Sequence, residues 1–393
     1  MRKRVGMERR GRDASCRWRG SMSSFWTLLH FALLFVVLLA VPAKQADAQT
    51  VEAQDLQEVV ALMLRLNVPQ QQVAARIRRM KTRQPVPAEL RDEIAAWGAS
   101  PLVQQEMHRL IERSRGKGGA AGEESAKALP ATNGYVRRSG EPILDGERAV
   151  MLETVRLYAE DYSDSIPNFL CVRNTDFYMS KTGVDNWKRR VQLRERLVHL
   201  EDGDHQEVTA VDGKEVQEGQ RVFASAGGIT VSGEFGNILR RIFEEKTQTH
   251  FYWLGEEPGA GDRRVVIGFS VEKERSSMQL TVAEEEITSG YDGQLVASGE
   301  TGRIYRVQLA MHESPEGYPI RGAAWDIRYA PVTVDDKEML LPRTATTEAY
   351  QAGGVFLRNE ATYTKYQKYA AESNIEFGGA EVSEASGGPN PRR

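Results

Sequence analysis

The chain has 393 residues, with 52 basic against 55 acidic side chains and a formal net charge of −3. So mild a balance excludes a globally basic binder of polyanions, and two cysteines, Cys16 and Cys171, exclude a disulfide-built scaffold. The length suffices for one large domain with its own core and a small one beside it.

Residues 25–41 (FWTLLHFALLFVVLLAV) form an uncharged apolar run. Arg2, Lys3, Arg4, Arg9, Arg10, Arg12, Arg17 and Arg19 precede it, and Ala46-Asp47-Ala48 follows. This is the pattern of a secretory signal over residues 1–48, cut before Gln49, because the basic flank stays cytoplasmic and small residues fit the peptidase cleft. The expected location is therefore the periplasm or the exterior. The alternative is an uncleaved anchor in the inner membrane, since the run sits at the lower limit of the roughly 17 to 25 apolar residues that span a bilayer. Cys16 precedes the run, so it is not a lipidation site. Removing residues 1–48 takes away nine basic and three acidic residues, leaving 43 and 52 and a net −9. Nucleic acid and anionic-lipid surfaces are thus not expected as global partners, local patches being left open. Cys171 would then be alone, and behind Phe169-Leu170 it reads as a buried, inert thiol.

Residues 49–113 carry helical patterning. Leu56, Val59, Val60, Leu62, Met63 and Leu66 fall on one helical face, and Asn67-Val68-Pro69 ends that helix and starts a second with Val73, Ala74 and Ile77. Pro85-Val86-Pro87 leads into a third over residues 88–97, and Gly98-Ala99-Ser100-Pro101 opens a fourth with Leu102, Val103, Met107, Leu110 and Ile111. The turn and closing helix resemble a short helical module found in secreted bacterial proteins. The basic run Arg76, Arg78, Arg79, Lys81 and Arg83 reads as a solvated helix face, the alternative being contact with an acidic partner or envelope polymer. A spacer or protein-interaction role is expected, with an envelope protein as partner. Residues 114–141, rich in Gly, Ala and Ser, read as a flexible linker, and 378–393 as a disordered tail. Such a linker predicts that the two folded parts behave independently.

The main domain, within 142–377, opens with a helix over 146–162 and continues almost wholly in short strands: 169–179, 191–200, 207–211, 251–254, 264–271, 277–282, 291–297, 304–311, 322–329 and 344–350. Asp202-Gly203, Asp212-Gly213, Asp292-Gly293, Gly299-Glu300-Thr301-Gly302 and Asp335-Asp336-Lys337 supply turns. Short strands on tight turns predict an antiparallel meander. Asn237 begins a short helix through Phe243, with Ile238, Leu239, Ile242 and Phe243 at helical spacing, set over one sheet face. The fold class is mainly β with a small N-terminal helical module.

No catalytic constellation accompanies this fold. Ser232-Gly233-Glu234-Phe235-Gly236 lacks the spacing of a nucleophile elbow, so Ser232 reads as a helix cap. His199, His205, His250 and His312 have no metal-ligand spacing, and the glycine loop at 255–261 carries two carboxylates and no lysine, which repels phosphate. Glu284-Glu285-Glu286 reads as a solvated strand edge. The expectation is a protein that is not an enzyme and carries no metal or cofactor.

Along the main domain run Ile166-Pro167-Asn168-Phe169-Leu170-Cys171, the Ser232 to Gly236 motif, Phe251-Tyr252-Trp253, the hairpin at 293–306, Tyr318-Pro319-Ile320, Leu340-Leu341-Pro342 and Arg358-Asn359-Glu360. On these residues the domain resembles a family of uncharacterised secreted bacterial proteins and, more distantly, the LolA-like superfamily of periplasmic lipoprotein and lipid carriers and sensors. One departure is Ala297-Ser298-Gly299, where the hairpin usually has an apolar-Ile-Asp triplet; it puts strand pairing there in question. The resemblance implies a curved antiparallel sheet, an incomplete barrel with helices against its concave side, and an apolar cavity between. The candidate lining is Tyr158, Phe169, Phe235, Leu239, Ile242, Phe243, Trp253 and Trp325. Each of these is also an ordinary core residue. The expected function is a non-catalytic binding module of the envelope for an apolar or lipidated ligand, a lipid or lipoprotein; the alternative is a scaffold whose interior is filled by its own side chains.

Overall fold

The computed structural model describes residues 50–115, 140–181, 183, 186–200, 203–216, 235–258, 261–282, 285–312 and 314–369, which all belong to one compact unit beginning at Gln49. The expected signal, its cleavage point, the tail, Ser232 and nearly all of the expected linker lie outside the described residues.

The chain begins with β1 (Thr50–Val51), α1 (Ala53–Arg65), α2 (Gln70–Arg79), β2 (Lys81–Thr82), α3 (Leu90–Ala96) and α4 (Pro101–Arg115). Two helix ends show why this stretch folds into short pieces. Asn67 takes the left-handed conformation (φ 53°) and the Val68 N–H returns to the Met63 carbonyl; Gly98 (φ 90°) and the Ala99 N–H, which returns to Ile94, repeat the device after α3. A left-handed residue after a helix lets the next N–H satisfy an orphan carbonyl, so it stops the helix and turns the chain. The apolar stripes then meet in one cluster of Leu56, Val60, Val73, Ile77, Leu90, Ile94, Val103, Met107 and Leu110.

Next come β3 (Glu141–Pro142), α5 (Gly146–Ser165), β4 (Phe169–Ser180), β5 (Lys188–Leu200), β6 (Gly203–Val211), β7 (Lys214–Glu215) and α6 (Asn237–Phe243). The rest is strand: β8 (His250–Glu257), β9 (Arg264–Val271), β10 (Gln279–Val282), β11 (Glu285–Thr288), β12 (Tyr291–Ser298), β13 (Ile304–Met311), β14 (Ile320–Val334), β15 (Lys337–Gln351) and β16 (Val355–Lys368). Twelve strands form one antiparallel sheet in the order β3-β8-β9-β12-β13-β14-β15-β16-β4-β5-β6-β7, open at both ends and so not closed into a barrel. The expected meander is present from β12 to β16, with β10 and β11 set aside as a separate hairpin.

Most of the expected turns form, but Asp292-Gly293 is corrected: both residues lie inside β12, where the glycine makes room for the Phe269 ring, since a Cβ there would lie 2.1 Å from it. Asp335 and Asp336 both take positive φ (52° and 61°) between β14 and β15, as do Asp212 and Gly213 between β6 and β7; a two-residue hairpin turn of this hand matches strand twist. The questioned pairing at Ala297 is made, with a bulge between Val296 and Ala297, and the Ser298 hydroxyl accepts the Glu300 and Thr301 N–H groups while donating to Asp262. Both β14 and β15 run further than expected, through Pro331 and Pro342, with a register shift at Arg328/Tyr329 opposite Pro342. Proline has no N–H to give the ladder, and a bulge absorbs that loss. Sequence reading did not assign β16, whose Thr, Glu, Lys and Gln content masks the buried phase of Phe356, Leu357, Asn359, Ala361 and Tyr363.

The two faces of the sheet differ in chemistry. The inner face carries Val265, Ile267, Phe269, Tyr291, Leu295, Val307, Leu309, Trp325, Ile327 and Tyr363, and α5 and α6 close over it with Val155, Ala159, Tyr162, Leu239 and Ile242. The outer face carries cross-strand polar pairs such as Gln294–Gln308 (2.7 Å), Arg306–Asp326 and Arg189–Asp176. Between these pairs lies an apolar patch, Ala310, Ala324, Tyr350 and Phe356, on which the helical unit sits. Gly322 admits it: a Cβ there would lie 2.1 Å from the Leu66 carbonyl oxygen. The Tyr350 hydroxyl pairs with Gln72 Oε1 (2.9 Å), and the Asn67 amide donates to the Met311 carbonyl (3.2 Å). The expectation of independent parts is therefore corrected: the helices share a core with the sheet, and a linker's composition cannot reveal what docks beyond it.

Candidate functional site

The eight candidate lining residues meet on the inner face. Phe169, Phe235, Leu239, Ile242, Phe243 and Trp325 are buried members of one apolar cluster, with Tyr158 and Trp253 packed at its margin. Strand alternation puts Phe169, Trp325 and Trp253 on this side, since Trp253 pairs with Ile267 and Trp325 with Leu309. At one end Phe169 contacts His199, Phe235 and Tyr366 with ring centroids 5.1 to 5.3 Å apart. At the other, Phe243 stacks on Phe251 (5.1 Å), and the Ile242 carbonyl accepts from Thr249. Under α5, Tyr162 donates to the Leu340 carbonyl (2.6 Å) and meets the Tyr329 ring edge-on. Burial pushes the Tyr158 phenol up to about 12 and that of Tyr162 well above its ordinary value, so both are neutral, apolar-facing groups. Arg148 lies over the Trp253 ring, 5.0 Å from its centroid.

Sequence reasoning missed a polar cluster on the same face. Arg173 and Glu195 form a buried two-pronged ion pair (2.8 and 3.0 Å), with Gln206 and Thr175 completing it. The signal was available: Arg173 occupies the buried phase of a strand that also carries Phe169, Cys171, Thr175 and Phe177 there. Such a pair, fixed in the sheet, offers orientation rather than a free charge.

Among the described residues, recesses open to solvent at several places. One of about 710 Å³ lies at the β8 edge, lined by the apolar Pro142, Ile143, Leu144, Leu152 and Phe251 and by the polar His250, Tyr252, Ser270, Glu272, Asp292 and His312. A second, about 550 Å³, runs between the α1–α2 turn, Trp97 and Ala310–His312, touching the first through Asp292 and His312. A third, about 480 Å³, is floored by Thr344, Thr346 and Thr362 and walled by Arg65, Asp326, Glu348 and Arg358. Asp292 accepts from Ser270 (2.8 Å), with His312 Nε2 3.3 Å away. Leu144 is 83% exposed beside the first recess, an apolar side chain the fold itself does not use.

Among the described residues no cluster of three or more His, Cys, Asp or Glu is placed to hold a metal ion, and no helix is long and apolar enough to cross a membrane. Cys171 is buried.

No family model matches the chain, and no curated protein matches it. Among solved structures, a LolA superfamily protein from Nitrosomonas europaea aligns over 56% of this chain and 93% of its own, at 11% identity and a TM-score of 0.30. A DUF1329 family protein from Desulfovibrio piger aligns over 58% and 96%, at 8% identity and a TM-score of 0.28. At these identities and scores the likeness to both is distant.

Proposed function

We propose that the protein is a non-catalytic binding module of the cell envelope for an amphipathic ligand, an acyl chain with a polar head such as a lipid or a lipidated protein presents. The observation that carries this is the recess beside Phe251. Its volume falls in the range of ligand sites, roughly 300 to 1,000 Å³, and its lining combines the apolar and polar residues that an amphipath requires. Each methylene buried against Ile143, Leu144 and Leu152 contributes about 0.8 kcal/mol with little directional demand. From this recess the ligand's chain would advance along the Phe243–Phe251 stack, with α6 as the lid over the inner-face cluster.

A second reading, a scaffold with a filled interior, draws on the mutual packing of Phe169, Phe235 and Tyr363 on that face. A fluorescent fatty-acid probe separates the two. Under the binding reading the wild type takes up the probe saturably, and Leu144→Asp, at an exposed position, weakens uptake about tenfold without lowering the melting temperature. Phe243→Ala weakens uptake and keeps most of the stability, as a lid residue does. If the wild type takes up no probe and Phe243→Ala costs the about 3 to 5 kcal/mol of a truncated core aromatic, the scaffold reading stands instead.

A further inference from the structure

The basic run at 76–83 acquires neighbours in three dimensions that it lacks in sequence. Helices α2 and α4 run in the same sense, for Gln70 at the start of α2 accepts from the Ser100 N–H just ahead of α4, and Arg78 in the last turn of α2 reaches Glu106. The loop after α2 stays with them, since the Val86 N–H donates to Ser114 Oγ. The C-terminal ends of both helices and this loop therefore share one end of the helical unit. Arg78 and Arg79 from α2, Lys81 of β2 and Arg83 just after it, and Arg109, Arg113 and Arg115 from α4 are all exposed there.

Three carboxylates touch this set. Glu106 is divided between Arg78 (2.9 Å) and Arg109 (2.7 Å), Glu112 takes Arg115, and Glu52 lies 3.7 Å from Arg83. Arg78 holds the Glu106 carboxyl below its ordinary range against its burial, so that charge is already committed. Among the described residues no carboxylate pairs with Arg79, Lys81 or Arg113. Cations in a last helical turn complement the helix dipole, which accounts for one or two; it does not account for Lys81 and Arg83 beyond the helix, nor for two such ends side by side.

We propose that this end of the helical unit docks onto an anionic bilayer surface. None of these cations lines a described recess, and no aromatic side chain stands among them as a stacking platform. A sugar or a nucleic-acid base would need such a platform or groove, whereas a sheet of lipid phosphates needs only exposed cations. A long soluble polyanion would also have to run over the rest of a chain whose net charge beyond residue 48 is −9. A planar surface is met at one end only. This inference does not depend on the Phe251 recess binding anything.

The test uses the chain from Gln49 and sedimentation with vesicles of phosphatidylcholine alone or mixed with phosphatidylglycerol. The protein is expected to partition onto the mixed vesicles only and to be released as salt shortens the screening length to about 3 Å near 1 M. Arg79→Glu with Arg113→Glu, both exposed, should lower partitioning at least about 25-fold, from about fivefold for each cation removed. A second pair, Arg83→Glu with Arg115→Glu, guards against an accident of one site. Equal binding to neutral vesicles, binding undiminished in both pairs, or retention on heparin or single-stranded DNA without retention on the anionic vesicles would each overturn the proposal.

Discussion

Replacing Glu348 by alanine tests how the helical unit is held on the sheet. Glu348 lies on the outer face of β15 and accepts from Arg65 of α1 (Nε, 3.1 Å) and from Arg358 of β16 (Nε 3.0 Å, Nη2 2.6 Å). Its side chain and that of Arg65 are each 7% exposed. The alanine variant strands a guanidinium that has little water around it, so the expected loss is about 3 to 5 kcal/mol, the scale for removing one partner of a buried pair. Arg358 is less enclosed and can turn to Glu360, 3.8 Å away, so most of the loss belongs to Arg65. Burial works against the Glu348 charge, yet the two arginines outweigh it and hold the carboxyl below its ordinary 4.5. A folded-state value below the unfolded one means that the stabilisation is fully present above about pH 4.5 and fades as pH falls through the folded value. Urea unfolding followed by tryptophan fluorescence at neutral and acid pH measures both effects. The combined Arg65→Met and Glu348→Leu protein, with no charge left stranded in α1, should recover most of the loss. If Glu348→Ala costs under about 1 kcal/mol, as exposed pairs do, the triad is solvated and apolar contact alone seats the helices.

Gly322→Ala should lower the melting temperature by several degrees and raise protease sensitivity within 50–115, because the added methyl meets the Leu66 backbone rather than a flexible side-chain end; an unchanged melting temperature would mean the α1 end yields freely. A protease site inserted within 116–139 and cut in the folded protein should leave the helical fragment co-eluting with the β part on gel filtration. Separation of the two would refute docking through the shared core.

β9, β12 and β13 were legible as short β-branched and apolar runs, and the turn between the last two from Gly299 and Gly302; β11, rich in glutamate, was not. The short helix after Gly236 was legible from its spacing: Ile238, Leu239, Ile242 and Phe243 fit only a helical repeat, and all four are buried. What else escaped reading is non-local. The apolar patch Ala310, Ala324, Tyr350 and Phe356 is four residues from four strands, none unusual alone. Likewise the basic end of the helical unit joins Arg78 to Arg109 and Arg113 across a parallel helix pair that no spacing announces. Of the candidate lining, sequence alternation could put Phe169, Trp253 and Trp325 on one face, but the recess at Phe251 arises where β3 meets β8, at a pairing of two residues, Glu141 with Trp253 and Pro142 with Tyr252.

The pairing of β16 with β4 sets the order in which the sheet can be assembled. Within the sheet, β16 alone joins β4, β5, β6 and β7 to the remaining strands, and its partner residues run from Phe356 opposite Ser180 to Lys368 opposite Phe169. At about 5 to 20 residues per second, synthesis leaves β4 without this neighbour for roughly ten to forty seconds. During that interval the β4 edge, with unpaired N–H and carbonyl groups, is a template for any passing strand. The chain therefore depends, while it is being made, on whatever shields an open edge, and a truncation that stops before residue 355 leaves a β4 to β7 fragment with nothing in this sheet to complete it.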